Sequence, residues 1–202
     1  YSPLTNGLLH SVGIEKTLIF IGIGALILML TLSQFLKNPP AGYVPAGGGT
    51  TKKPIQTSQS ISSRDFGLRD IVKTSSFYRL WLMFAVSSSA GLMVIGHAAN
   101  IAKVQISWEG GFYMVILLAL FNAAGRISGG TVSDKIGRIN LMRIIFALQA
   151  VNMLLFSLYS SIPMLAVGIA VAGLCYGASF SVFPATIIDL YGMKYFGANY
   201  GL

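Results

Sequence analysis

The chain has 202 residues, 54% of them hydrophobic and only 10% charged, with a mean hydropathy of +0.70. Soluble domains carry about 25% charged residues, so this composition excludes a soluble globular domain and makes the lipid bilayer the first partner. The formal net charge of +8 does not indicate nucleic acid, because the cations lie dispersed in loops between apolar runs, where they orient a membrane protein.

Residues 1–10 read as the tail of a preceding helix. With no initiator Met and an end, GANYGL, that opens another apolar segment, the chain is expected to be a fragment. A membrane helix needs about 20 mainly apolar residues. Five segments qualify: 14–36, 77–101, 111–131, 139–159 and 163–190. Between the first two lies a polar loop, 37–76. Its first half is rich in Pro, Gly, Ser and Thr, a linker composition. Its second half, SSRDFGLRDIVKTSS, is expected to hold a short amphipathic helix with Ser63 as N-cap and Phe66, Leu68, Ile71 and Val72 as apolar contacts at the membrane surface.

The loops are asymmetric in charge. One side collects Lys37, Lys52, Lys53, Arg64, Arg69, Lys73, Arg79, Lys135, Arg138, Arg143 and Lys194; the other has only Lys16 and Lys103. The excess of positive charge inside assigns the loops 37–76 and 132–138 to the cytoplasm. Tyr78 and Trp81 then fall at the cytoplasmic boundary and Trp108 at the outer one. Arg126 is left over, deep inside a span rather than near its end.

Within GGTVSDKIGR, residues 129–138, Gly130, Asp134, Gly137 and Arg138 match the pattern G-x-x-x-D-[RK]-x-G-R. The glycines permit close helix approach and a tight turn. Asp134 can accept hydrogen bonds from a helix N-terminus and from Arg138, forming a gating latch. The plainer alternative is a loop whose charges serve orientation only. This stretch resembles the signature of the major facilitator superfamily, where it falls between helices 2 and 3 and between helices 8 and 9. The resemblance implies an all-α membrane protein with that transporter fold, present as its C-terminal half with helix 6 and the central loop. Residues 1–36 would be the end of helix 5 and helix 6. Residues 37–76 would be the cytoplasmic central loop, and 77–202 would be helices 7–10 and the start of helix 11. The rest of the N-terminal half and helices 11–12 would be missing partners of the same protein.

Arg126 lies eight residues before Asp134, roughly 12 Å deep at 1.5 Å per residue. A central arginine costs about 2.5–3.5 kcal/mol on insertion scales. Intramembrane charges mark substrate paths, and a guanidinium is a bidentate partner for a carboxylate. A substrate anion and a buried structural ion pair are the two readings. Asn122, one turn earlier on the same face, could orient the guanidinium or touch the substrate.

QFLKNPPAGY, GLMVIGHAANIAK, NAAGRISGGTVSDKIGR and CYGASFSVFPATIIDLYGMKYFGANYGL resemble the oxalate/formate antiporter family. That resemblance implies a bacterial or archaeal inner-membrane exchanger of small carboxylate anions, with Arg126 and a helix-11 lysine beyond this chain as binding cations. It also implies aromatic side chains around the anion, for which Tyr176 is the candidate, with helix packing as its alternative. Related monocarboxylate transporters are expected to carry an acidic residue at the position of Asn122 to help move a proton. Asparagine cannot titrate, which favours exchange over proton symport. A proton-coupled monocarboxylate transporter and a non-transporting carboxylate sensor are the rival functions.

Other residues receive smaller roles. His97 and Asn100 are read as polar groups at the outer rim, and residues 87–91 as a small-residue patch for packing or for a flexible point. Phe180 and Phe183 are expected to pack, Gln149 and Asn152 to hydrogen-bond between helices, Pro184 to kink its helix, and Asp189 to pair with a basic loop residue. The lone Cys175 implies neither a disulfide framework nor a metal site. No nucleophile–base pair or phosphate loop is visible in the sequence, so neither an enzyme nor a cofactor is expected.

Overall fold

The computed structural model describes residues 3–35 and 65–201. The chain divides into two compact units, Tyr1–Ser60 and Ile61–Leu202. The first contains α1, Pro3–Ser33, which is broken at Gly13, where φ is +80°. Glycine reaches this region without a Cβ clash. Gly13–Ser33 is 21 residues long with mean hydropathy 2.0, long enough to cross a bilayer. Thr17 Oγ1 donates to the Gly13 carbonyl at 2.7 Å.

The second unit holds α2 (Leu68–Ile71), α3 (Ser75–Ile106), α4 (Gly111–Ile136), α5 (Arg138–Leu155), a 3₁₀ turn (Phe156–Leu158), α6 (Ile162–Tyr191) and α7 (Phe196–Tyr200). With α1, the helices α3–α6 make five of crossing length and hydropathy, as the apolar runs indicate. Observed spans exceed the sequence estimates by a few residues at most ends, because polar residues continue each helix past its apolar stretch. The α6 helix also runs on through Pro184 to Tyr191.

Helix α6 is the centre of this unit. Of its most apolar stretch 56% is buried, against 22–28% for α3, α4 and α5. It packs in two layers. Towards its N-terminal end, Leu165, Ile169 and Ala172 meet Val94, Ala98 and Ala102 of α3 and Met114 and Leu118 of α4. Towards its C-terminal end, Cys175, Ala178, Val182 and Phe183 meet Leu141, Met142 and Ile145 of α5.

The α4–α6 contact is made by backbone. A Cβ on Gly129 would lie 2.8 Å from the Ala178 Cα, and one on Gly173 2.7 Å from the Leu118 carbonyl oxygen. On Gly125 it would strike the Leu174 carbonyl oxygen, and on Gly177 that of Asn122. Glycines four residues apart on both helices thus let the two backbones touch. In lipid, where apolar burial drives nothing, such close van der Waals packing holds helices together.

Polar groups fix the ends. Gln105 Nε2 donates to the Phe156 and Tyr159 carbonyls, each at 2.8 Å, capping acceptors that the end of α5 leaves open. Asn152 Nδ2 donates to the Gly168 carbonyl at 2.9 Å, and the Tyr159 hydroxyl donates to Asn152 Oδ1 at 3.0 Å. Asn152 is therefore the interhelical link expected of it. Gln149 is not: both its amide atoms are buried with no partner among the described residues.

The central loop also differs from its expected form. Ser63 lies outside the described residues. The helix is only four residues long, with Gly67 rather than Ser63 as N-cap. The reason is a competing set of bonds. The Phe66 N–H donates to the Tyr191 carbonyl at 3.0 Å, and Asn199 Nδ2 donates to the Phe66 carbonyl at 3.0 Å. The Lys194 N–H donates to Asp65 Oδ1 at 3.4 Å. Residues 65–66 are thereby tied to the turn between α6 and α7 and cannot join a helix. Ile71 is fully buried, so α2 seats on protein through that residue.

Candidate anion site and latch

Helix α4 carries Asn122 and Arg126 one turn apart, as its 3.6-residue period requires. Arg126 Nε donates to Asn122 Oδ1 at 3.4 Å. The Arg126 Cζ also lies 5.3 Å from the centroid of the Phe180 ring on α6, within cation–π range. Among the described residues no ion pair includes Arg126, and its side chain is exposed. Of the two readings of this arginine, the structural ion pair finds no partner here. An amide oxygen and an aromatic face hold the guanidinium, and its other donors find no acceptor among the described residues.

Tyr176 lies one turn before Phe180 on α6, with ring centroids 4.7 Å apart at 47°. No hydrogen bond joins Tyr176 to Arg126; the two meet through Phe180. Phe180 is the residue that sequence reasoning undervalued. Its spacing of four from Tyr176 places it on the same helix face and could have flagged it. Phe84 of α3 extends the cluster, 5.3 Å from Phe180 and 4.9 Å from Phe183. Phe183 is fully packed, as expected.

The residues 87–91 patch now has a definite role. Ser87 and Ser179 are buried and hydrogen-bonded at 3.1 Å. Ser179 also donates to the Cys175 carbonyl at 2.9 Å, which uses its one hydrogen and leaves Ser87 as the donor between them. Gly91, one turn along α3, lies directly against the Tyr176 ring. The patch is a packing surface; α3 is one continuous helix through it. His97 is exposed and bonds within α3, its Nδ1 3.0 Å from the Met93 carbonyl oxygen. That leaves it as a surface group.

The 130–138 motif forms a compact cluster at the C-terminal end of α4. Gly137 is the single residue between α4 and α5, with φ +89° and ψ 146°, a region open essentially to glycine alone. Gly130 faces α6, where a Cβ would lie 3.2 Å from Ser181 Oγ. Arg138 Nε pairs with Asp189 Oδ2 at the end of α6. Its Nη1 lies 3.8 Å from Asp134 Oδ1 and donates to Ser133 Oγ at 3.5 Å. Asp189 thus pairs with a basic residue of the loop, as anticipated, and Arg138 ties α4, α5 and α6 at one point.

A cavity of about 300 Å³ lies between α3, α6 and α7, lined mainly by aromatic side chains including Trp81, Phe84, Tyr191 and Tyr200. No charged side chain of the described residues lines it. Among the described residues no group of His, Cys, Asp or Glu could hold a metal ion.

Comparison with known proteins agrees with this architecture. The chain is 28% identical over 199 residues to an uncharacterised transporter of the same superfamily, YhjX of Escherichia coli. It is 27% identical over 213 aligned positions to the oxalate:formate antiporter of Oxalobacter formigenes. These alignments cover 96% and 100% of this chain but 46% of each relative, so the chain spans about half the length of the curated relatives it matches. The family profile of the Major Facilitator Superfamily matches residues 1–202. With five membrane-length helices, a loop of the expected sequence pattern and a match along its whole length, the chain belongs to the Major Facilitator Superfamily.

Proposed function

We propose that the full-length protein carrying this chain is a secondary transporter that exchanges small carboxylate anions, of the oxalate and formate type, across a bacterial inner membrane. The observation that carries this reading is Arg126, a mid-span cation with free donors and no acidic partner among the described residues. A carboxylate supplies two acceptor oxygens in the plane that a guanidinium fork presents. Phe180 holds the other face of the guanidinium, Asn122 holds its Nε, and Tyr176 supplies a wall and a hydroxyl. The similarity to an oxalate:formate antiporter supports the same substrate class.

Alternating access follows from a midplane site between two halves that rock. An empty cavity that retains an uncompensated Arg126 is costly to close, because the charge would lose water without gaining an anion. Return therefore requires a counter-anion. Labelled oxalate should enter formate-loaded vesicles and not empty ones. Equal uptake by both would refute exchange, and uptake into empty vesicles driven by a pH gradient would move the protein to proton-coupled monocarboxylate transport. Specific binding with no flux in either would make it a sensor.

The latch governs the closing rate in this reading. The Asp189 carboxylate, closer to Arg138 than Asp134 is, should matter more. Asp189→Asn and Arg138→Gln should each slow exchange to a similar extent, and the double variant should be no slower than either. Asp134→Asn should have a smaller effect. Oxalate Kd should change less than twofold in all four, roughly the scale expected for partly exposed pairs. Additive losses of rate in the double variant would show that the two groups act separately.

A further inference from the structure

We propose that Gly91 of α3 is a positioning residue that sets the size of the anion site through Tyr176. The proposal rests on the carboxylate reading of Arg126 and concerns a residue that touches neither the guanidinium nor the anion.

The geometry is a relay across three helices. A Cβ on Gly91 would overlap the Tyr176 ring, striking Cδ2 and lying 2.8 Å from Cγ and 3.0 Å from Cβ. These are the ring's attachment atoms, fixed to α6, so the tyrosine cannot swing its far end away to make room. Helix α3 cannot back off either. The buried Ser87–Ser179 hydrogen bond pins the two helices one turn away, and breaking it would strand a buried hydroxyl. The ring must therefore leave α3. The aromatic neighbour of that ring one turn along α6 is Phe180, with centroids 4.7 Å apart, and Phe180 carries Arg126 at 5.3 Å. In this proposal a methyl group at residue 91 displaces the aromatic wall that Tyr176 and Phe180 form beside the guanidinium and narrows the space in front of it. Glycine gives the site its full width.

The expected consequence is one of anion size. In the full-length protein, Gly91→Ala should raise the Kd for oxalate about tenfold or more, the scale of an overpacked contact. It should raise that for formate less than about threefold, because formate has one carboxylate and no second carbon. In a Tyr176→Leu background, where the ring is gone, adding Gly91→Ala should leave the oxalate-to-formate ratio of Kd unchanged within about twofold, the signature of two residues acting through one contact. If Gly91→Ala alone does not accumulate as folded protein, the Tyr176→Leu pair, with and without Gly91→Ala, decides the question on the same ratio. Equal weakening of oxalate and formate by Gly91→Ala, or a change of ratio that persists without the Tyr176 ring, would overturn the proposal. Arg126→Gln is measured alongside. Loss of both anions there with an unchanged ratio in Gly91→Ala would leave the carboxylate site standing and remove Gly91 from it. Retention of oxalate by Arg126→Gln would overturn the carboxylate reading and this inference together.

Discussion

Replacing Arg126 with glutamine should abolish carboxylate binding while leaving the protein folded and inserted. Truncating one partner of a desolvated charge pair typically costs 2–5 kcal/mol, so a loss of about 3 kcal/mol, more than a hundredfold in Kd, is expected. The fold should tolerate the change because Arg126 is exposed within this unit and, among the described residues, makes one hydrogen bond to a side chain, at 3.4 Å. Removing a charge from the membrane also relieves an insertion cost. Arg126→Lys keeps the charge but loses the planar fork, and should fall between wild type and Arg126→Gln. Titrating purified variants with oxalate by calorimetry, with thermal unfolding as the folding control, distinguishes these outcomes. Unaltered affinity in Arg126→Gln would return the arginine to a structural role.

Gly177→Leu should be the most damaging single change to stability in the described bundle. The Cβ alone would meet the Asn122 carbonyl oxygen and lie 3.0 Å from Asn122 Oδ1. A leucine adds three more carbons where two backbones are in contact. Overpacking by small increments costs 1–3 kcal/mol. With the obstacle a backbone carbonyl rather than a flexible side chain, about 3 kcal/mol or more is expected, read as loss of folded protein in detergent or a large fall in Tm. Gly129→Leu, opposite Ala178 on the same interface, should behave alike. Leu120→Ala, on an exposed part of α4, is the contrasting control and should change stability little. Near-native Tm for Gly177→Leu would mean that α4 and α6 separate easily.

The number of spans and their order were legible in the sequence because hydropathy over 20 residues is a strong signal. Boundaries were less so. The α3 helix reaches Ile106 rather than residue 101, since Lys103 and Gln105 are polar enough to look like loop yet find partners in Glu109 and the end of α5. The short helix near residue 68 was visible as a pattern, but its start was not. Residues 65–66 bond to Tyr191, Lys194 and Asn199, more than 120 positions away, and no local rule reports such a tie. At the candidate site the charged residues stood out by cost alone: an arginine in an apolar run must have a reason. Aromatic partners did not. Phe180 looks like any other apolar residue of α6 until the approach of α4 puts a guanidinium over it. Glycines were similarly ambiguous, since Gly125 and Gly129 acquire meaning only against Leu174 and Ala178, and Gly173 and Gly177 only against Leu118 and Asn122.

Those glycine contacts also constrain the order in which this part of the protein can be built. The chain emerges as α4, then α5, then α6, so α4 enters the bilayer before the surface it fits has been synthesised. Until then its flat glycine strip and its Arg126–Asn122 face both lack their partners on α6, Leu174 and Ala178 for the first and Gly177 and Phe180 for the second. The apolar run FYMVILLAL, ahead of Asn122, must therefore carry insertion of α4 without help from its neighbour. The hairpin with α5, closed by Gly137 alone, keeps the half-finished assembly compact while translation completes α6. Biogenesis of this region is a matter of waiting for the sixth helix, and lesions in the α4–α6 contact should be met by membrane quality control before any anion is encountered.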